Sequence, residues 1–507
     1  MNAKQEVSEV NGMSEIKDVS SLQTIIGLEI HCQLNTQSKL FCGCNTDFRE
    51  SEPNSCTCPI CLGLPGSMPM VNKKAIEYAI KVGKALNCEI LETSEFARKN
   101  YFYPDLPKAY QITQYDKPLA VLGYLNLDIE GQEKKIRITR VHVEEDPGRS
   151  VHMGSGDRAR YTLVDYNRSG IPLIEIVTEP DMRSPKEARQ FLNKLRATLE
   201  YLNVFDSEKE GSLRVDANIS LQGSERVEVK NISSYKGVEK ALTYEVTRQR
   251  NMIRRGQRIT RETRHYQETR GVTTSARSKE EEDDYRYFPE PDLYPMHVKP
   301  WAEDIELPEL PDARRARFMS QYGCSFEHAK TLTGQLKLAD YYEEVVRQGA
   351  NDNLASTWIA DVLLGELNYR DMSISIVPAK VMSDLVSILS QQLITDANGV
   401  EVLRIMLDDI LATIHAGDAS ALTAIMPKEM PQEIITKRGL AKVAGNEISA
   451  MIEQILDENP QAILDYRAGK GQALNFLVGQ VMKRSKGRAD PGELNAMLST
   501  AIEKRGV

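Results

Sequence analysis

The segment Ile26-Gly27-Leu28-Glu29-Ile30-His31-Cys32-Gln33-Leu34 alternates apolar and polar residues without a break. Successive side chains of an extended strand point to opposite faces, so Ile26, Leu28, Ile30, Cys32 and Leu34 share one face and Glu29, His31 and Gln33 the other. The pattern commits the chain to a sheet with one apolar and one polar face. Gly211 to Ile219 alternates in the same way, with Arg214, Asp216 and Asn218 on its polar side, and Val229-Lys230-Asn231 follows similarly.

The chain has 507 residues, and at about 150 per domain it holds about three domains, enough to bury cores without disulfide staples. An apolar fraction of 41% and a charged fraction of 27% exclude wholesale disorder. No stretch approaches the roughly 18 apolar residues of a membrane span, and the amino terminus lacks the apolar core of a signal peptide. A cytoplasmic location with no membrane partner is therefore expected. The net charge of −9 argues against an indiscriminate nucleic-acid binder and leaves room for local basic patches.

Residues 1–21 are polar and aperiodic, the mark of a disordered leader, and the fold is expected to begin near Thr24. The region 22–305 mixes alternating and helical runs without a regular βαβ repeat, an α+β pattern with an antiparallel sheet. One helix announces its start: Ser184, Pro185 and Glu187 form a capping box with proline at the first helical position. Phe191, Leu192, Leu195, Leu199 and Leu202 then line one face, which should pack on the sheet. Prolines 289, 291, 295, 300, 308 and 311 crowd the end of the run SKEEEDDYRYFPEPD and the stretch after it, and predict a boundary near 300–312. Everything beyond reads as helical, in two modules over 306–357 and 358–507, with breaks expected at Asn398-Gly399 and at Pro427 to Pro431. There is no internal repeat and no Walker A loop; Gly469-Lys470-Gly471 lacks the required glycine spacing and the hydroxyl residue.

Glu29 and His31 at i and i+2 on one strand face suit a divalent cation, although for this segment alone a solvated polar face is the better explanation. Two further segments add weight. Val141-His142-Val143-Glu144-Glu145-Asp146 ends in three consecutive acids, whose repulsion a cation relieves, the plain alternative being an exposed acidic turn. Ile171-Pro172-Leu173-Ile174-Glu175-Ile176-Val177 sets a carboxylate in an apolar strand, so Glu175 requires a metal or a base. If these strands share a sheet, Glu29, His31, Glu145, Glu175 and Asp216 are candidates for Mg²⁺. Arg149, Arg158, Arg160, Arg214 and Lys230 are then candidates for phosphate. Carboxylates that hold cations against polyphosphate oxygens, beside basic residues, are the parts of phosphoryl transfer.

Six of the eight cysteines fall between Cys32 and Cys61. Cys42-Gly-Cys44 with Cys58-Pro-Ile-Cys61 has the paired spacing of a closed, structural four-thiolate zinc knuckle. Cys56 competes with Cys58, whose spacing to Cys61 is the better, and Cys32 is assigned to the strand core. Basic residues concentrate between Arg248 and Arg264 and at Lys483, Arg484, Lys486 and Arg488. Either run can meet RNA phosphates, and either can be a solvated helix face.

The segments IGLEIHCQL, PGSMPMVNKKA, RKNYFYPDLPKAYQITQYDKPL, ITRVHVEED, TLVDYNRSGIPLIEIVTEPD, EGSLRVDANIS, VEVKNISS, DDYRYFPEPD and QALNFLVGQVMKRSKGRADP, with the cysteine pairs, resemble the B-subunit family of aspartyl/glutamyl-tRNA amidotransferases. The resemblance runs from about Thr24 to the carboxyl terminus. It implies an ATP-dependent ligase component acting on mischarged Glu-tRNA(Gln) or Asp-tRNA(Asn), in which the side-chain carboxylate is phosphorylated and ammonia displaces the phosphate. It further implies ammonia delivered through a tunnel from an amidase subunit (A), and a small subunit (C) that braces the pair. The implied fold is an amino-terminal cradle, a helical domain and a helical tail that contacts tRNA through residues such as Lys483, Arg484, Lys486 and Arg488. The family's Mg²⁺ positions fall on Glu29, His31, Glu145 and Glu175, with Asp216 as a further ligand, and zinc supports the fold. Arg149, Arg214 and Lys230 are the basic residues assigned to ATP. The other reading is a non-catalytic tRNA-binding scaffold carrying a zinc knuckle.

Overall fold

The computed structural model describes residues 19–153, 161–207, 209, 211–232, 234–277, 285–416 and 424–505. The expected leader falls almost wholly outside this set, as do Arg158 and Arg160. Two compact units divide between Leu310 and Pro311.

The amino-terminal unit contains sixteen described strands. They are β1 (Thr24–Gln33), β2 (Glu89–Ile90), β3 (Thr93–Ser94), β4 (Ala97–Asn100), β5 (Tyr110–Thr113), β6 (Ala120–Ile129), β7 (Gln132–Glu145), β8 (Arg149–Met153), β9 (Tyr161–Asp165), β10 (Pro172–Thr178), β11 (Leu213–Leu221), β12 (Val227–Ile232), β13 (Glu262–Gln267), β14 (Val272–Arg277), β15 (Phe288–Pro289) and β16 (Met296–His297). Nine of them form one sheet in the order β14-β13-β12-β11-β1-β10-β7-β6-β2. The expected antiparallel sheet is found with one exception, because β12 and β13 run parallel. The helix α3 (Tyr235–Arg254) lies between them in sequence and carries the chain back to the start of the next strand, the length of connection that a parallel pair needs.

The alternation in β1 is realised: Ile26, Leu28, Ile30, Cys32 and Leu34 are buried in a core shared with α1 (Lys73–Ala85), α2 (Pro185–Tyr201) and α3. Burying each of these larger side chains contributes about 1.5–3 kcal/mol, so the apolar face fixes the register and leaves the polar face free for chemistry. In α2, Ser184 Oγ accepts the Glu187 N–H at 3.2 Å with Pro185 at the first position. The Glu187 carboxylate accepts the Arg183 N–H, one residue before the expected partner, at 2.8 Å. All five apolar residues expected on its inner face are buried.

Among the described residues the carboxyl-terminal unit has helices and no strand: α5 (Pro311–Gln321), α6 (Phe326–Thr333), α7 (Leu336–Arg347), α8 (Asp352–Thr357), α9 (Leu364–Arg370), α10 (Ala379–Ser390), α11 (Asp396–His415), α12 (Pro431–Arg438), α13 (Gly445–Glu458), α14 (Pro460–Arg467), α15 (Gln472–Arg484) and α16 (Pro491–Lys504), after the short α4 (Lys299–Asp304) of the first unit. A π-helical turn over Trp358–Leu363 joins α8 to α9. The break expected at Asn398-Gly399 is not found, since both residues lie in the first turn of α11. Asn398 Nδ2 donates to Leu440 O at 2.8 Å, and a Cβ on Gly399 would come within 2.6 Å of the Trp358 ring. The glycine permits close helix packing there rather than a turn. A separate core gathers Ile448, Ile452, Leu456, Leu477, Leu494 and Leu498 from α13, α15 and α16.

Candidate active site and metal centres

Four adjacent strands place side chains at one level of the polar sheet face. Arg214 of β11 opposes His31 of β1, His31 opposes Glu175 of β10, and Glu175 opposes His142 of β7. One step along, Asp216 opposes Glu29, which opposes Val177, which opposes Arg140. His31 Nε2 lies 3.5 Å from Glu144 Oε1 and 3.5 Å from Glu175 Oε2. His142 Nε2 lies 3.2 Å from the same Glu175 oxygen. Ligand atoms of His31, Glu144 and Glu175 fall within 4.8 Å of one another.

Glu145, expected in this cluster, is not there. The pleat turns consecutive residues to opposite faces, so Glu144 faces the cluster while Glu145 Oε1 accepts the Ile112 N–H at 2.9 Å and pairs with the buried Lys108. Treating the three acids as one unit hides His142 and Glu144. The alternation that orders β1 finds both when it is applied to β7.

Electrostatics follow the geometry. Burial opposes a charge on His31, but Glu175, then Glu144 and Asp216, outweigh it and push the imidazole up to about 9. Burial would raise Glu175, and His142 with His31 instead hold it well below the usual carboxylate range. Glu29 is raised by burial first and then by Glu175, Glu228 and Asp216, and Asn218 Nδ2 donates to its Oε1 at 2.9 Å. The buried Nδ1 of His142 has no hydrogen-bond partner among the described residues. This set of one imidazole and two carboxylates, braced by a second imidazole, fits a hard divalent cation.

The basic candidates separate. Arg214 donates to Asp146 Oδ1 at 2.6 Å, and Lys230 donates to Asp216 Oδ2 at 3.0 Å, both on the polar face. Arg149 leaves it: Pro147-Gly148 carries the chain out of β7, and Arg149 sits exposed at the start of a separate two-stranded ribbon, β8 with β9. In the basic run that begins in α3, Arg248 and Arg264 turn inward onto the buried Glu245 and onto Glu262. In the tail, Arg484 pairs with Glu458 and Arg488 Nε donates to Ser485 O, while Lys483 and Lys486 are exposed.

Ligand atoms of Cys42, Cys44, Cys58 and Cys61 also converge within 4.8 Å. The hydrogen bond from Cys42, the Cys58 N–H and Lys39 draw the Cys61 thiol down to about 5 against its burial. Cys56 stands apart, its N–H donating to Asn167 Oδ1 at 2.7 Å, and Cys32 is wholly buried in the strand core. Four converging sulfurs fit a tetrahedral metal.

Residues 24–303 match the model for the GatB/GatE catalytic domain, and residues 340–502 match that for the GatB domain. The chain belongs to the GatB family. This GatB-family chain is 68% identical to the B subunit of the aspartyl/glutamyl-tRNA(Asn/Gln) amidotransferase of Methanospirillum hungatei, over 96% of its own length and 100% of that relative. Against the corresponding B subunit of Methanoregula boonei it is 64% identical, over 95% and 98% of the two chains. Against that of Methanococcoides burtonii the figures are 51%, 94% and 98%. All of the sheet residues above fall inside the catalytic-domain match.

Proposed function

We propose that the polar sheet face is the site at which the carboxylate of a mischarged aminoacyl-tRNA is phosphorylated by ATP before amidation. The chain is the B subunit of a tRNA-dependent amidotransferase, a ligase. The observation that carries the reading of the site is the convergence of His31, Glu144 and Glu175 beside Arg214 and Lys230.

His31, Glu144 and Glu175 would hold Mg²⁺, with Glu29 and Asp216 facing the same space. Magnesium, when bound, neutralises phosphate charge and orients the γ-phosphoryl group for in-line displacement. Arg214 and Lys230, on the same polar face, would meet the polyphosphate and supply fixed positive charge to the transferred group. His142 fixes Glu175 through Nε2 and so sets the direction of the carboxylate. Glutamate or aspartate on tRNA becomes an acyl phosphate, and ammonia from a partner amidase displaces the phosphate to give Gln-tRNA or Asn-tRNA. A small third chain completes the complex. Cys42, Cys44, Cys58 and Cys61 would hold zinc as a structural clamp, and the exposed Lys483 and Lys486 support tRNA contact by the tail.

The test is conversion of labelled Glu-tRNA(Gln) and Asp-tRNA(Asn) by the complex with ATP, Mg²⁺ and free ammonium, for the wild type beside Glu175→Gln. Ammonium bypasses the amidase. Amide that requires ATP and vanishes in the variant is expected. Undiminished amide formation in the variant would remove the reaction from this face.

A further inference from the structure

Beside the metal-binding cluster lies a run of five tyrosines that phosphoryl transfer leaves without a task. Tyr103 meets Tyr101 with ring centroids 6.4 Å apart, Tyr101 meets Tyr285 at 5.9 Å, and Tyr285 meets Tyr287 at 6.0 Å. Tyr287 then stacks on Tyr115, face to face, at 4.0 Å and an interplanar angle of 3°. The two segments that supply the rings are held together: β15 pairs with β4, Arg98 forks onto Glu290 at 2.6 and 2.7 Å, and Asn100 Nδ2 donates to Tyr285 O and Arg286 O. Arg286 adopts a left-handed φ of 46°, uncommon for a residue with a Cβ, between the two tyrosines it separates.

One end of the run reaches the cluster. Thr113, two residues before Tyr115, donates to Glu144 Oε2 at 3.2 Å. Tyr115, at that end, carries the stacked Tyr287, whose phenol is raised by burial first and then by Glu144 and Glu175. The other end is open: Tyr103 is 49% exposed and its neighbour Phe102 81% exposed. Lys99 Nζ sits 4.6 Å from the Tyr285 ring centre and 5.7 Å from that of Tyr101, and the Arg286 side chain is exposed. Three of these contacts are edge-to-face, at 63°, 76° and 65°, and one is stacked; exposed aromatic rings with cations alongside suit unpaired nucleotides regardless of sequence. Five rings exceed what a single adenine covers.

We infer that the tyrosine run from Tyr103 to Tyr115 is a stacking track for the unpaired 3′-terminal nucleotides of the aminoacyl-tRNA, leading the attached amino acid to the His31, Glu144 and Glu175 cluster, with Lys99 and Arg286 beside the backbone phosphates. The inference rests on the proposed tRNA reaction. These tyrosines are positioning residues and take no proton in the chemistry.

The test needs no turnover. The full chain is titrated with tRNA(Gln) and with the same tRNA trimmed of its unpaired 3′ nucleotides, at one fixed salt concentration, for wild type, Tyr101→Leu, Tyr103→Leu and the corresponding phenylalanine variants. Trimming should weaken wild-type binding about 10-fold or more, by the stacking each base loses. Each leucine variant should bind intact tRNA nearly as weakly as trimmed tRNA, and each phenylalanine variant should restore the difference. Tyr103 is half exposed, so its substitution leaves the fold in place. An intact-to-trimmed ratio unchanged by both leucine substitutions would overturn the track, as would a wild-type chain indifferent to trimming. Loss of ATP affinity with an unchanged ratio would assign the rings to the nucleotide cofactor and also overturn it. Because the ratio involves no ATP turnover, failure of phosphoryl transfer and failure of the track are separate results.

Discussion

His142 is the residue whose role is least visible in sequence and most defined by its neighbours. Its Nε2 lies 3.2 Å from Glu175 and its Nδ1 is buried without a partner among the described residues. A group that orients a metal ligand typically controls affinity by about 10–100-fold. His142→Ala should therefore weaken Mn²⁺ binding by about that factor in a titration followed by electron paramagnetic resonance. Equal affinity in the two proteins would show that Glu175 is oriented by other groups. The strand alternation made Glu29, His31 and Glu175 legible because each sits among apolar neighbours that fix its face. In β7 the acids Glu144, Glu145 and Asp146 follow one another, and only the pleat, not the composition, tells which faces the cluster. Arg149 was illegible for another reason: what decides its place is the departure of the chain from β7 at Pro147-Gly148, a tertiary event.

At the level of elements, the buried Glu245 of α3 ties that helix to β13 and β14. It receives Arg248 and Gln249 from its own helix, Arg264 from β13 and Thr273 from β14. Burial would raise its pKa, yet Arg248, Gln249 and Arg264 lower it below 4.5. A depressed folded-state pKa means stability present above the unfolded-state value and lost as pH falls through the folded one. Glu245→Gln should cost about 1.5–3 kcal/mol at neutral pH, because Arg248 and Arg264 lose a buried carboxylate and keep Glu262. The variant's denaturation midpoint should also lose part of the wild type's fall with acid below pH 4.5. An acid dependence identical to wild type would show that the carboxylate is not charged in the folded chain. The cysteine element makes a separate claim. Purified protein should carry one zinc by atomic emission, Cys58→Ser should lose it, and Cys56→Ser should keep it; retention by Cys58→Ser would break the four-thiolate assignment. Here the sequence was informative because spacing alone limits which sulfurs can meet. By contrast, the helix boundaries around Trp358–Leu363 and Asn398-Gly399 were hidden, since a π turn and a glycine placed for the Trp358 ring leave no local signature.

At the scale of the molecule, the sheet divides its labour by face. Three helices cover one side and supply the common core, and the other side collects His31, Glu144, Glu175, Arg214, Asp216 and Lys230. The α+β amino-terminal half followed by helices was legible from periodicity, whereas the nine-strand order and the single parallel pair were not, because register is set by long-range pairing. The separate compactness of residues 311–507 predicts that this segment, expressed alone, unfolds in a cooperative transition by circular dichroism. A broad, non-cooperative melt would contradict that independence. The central claim, that this polar face transfers the γ-phosphoryl group of ATP, is tested most directly by phosphate release from γ-labelled ATP with Glu-tRNA(Gln) or Asp-tRNA(Asn) and Mg²⁺ but no ammonia source. The wild-type complex should release labelled phosphate in response to the mischarged tRNA, as water in place of ammonia hydrolyses the acyl phosphate, and Glu144→Gln and Glu175→Gln should release none while still binding that tRNA; release at the wild-type rate by both variants would contradict the account.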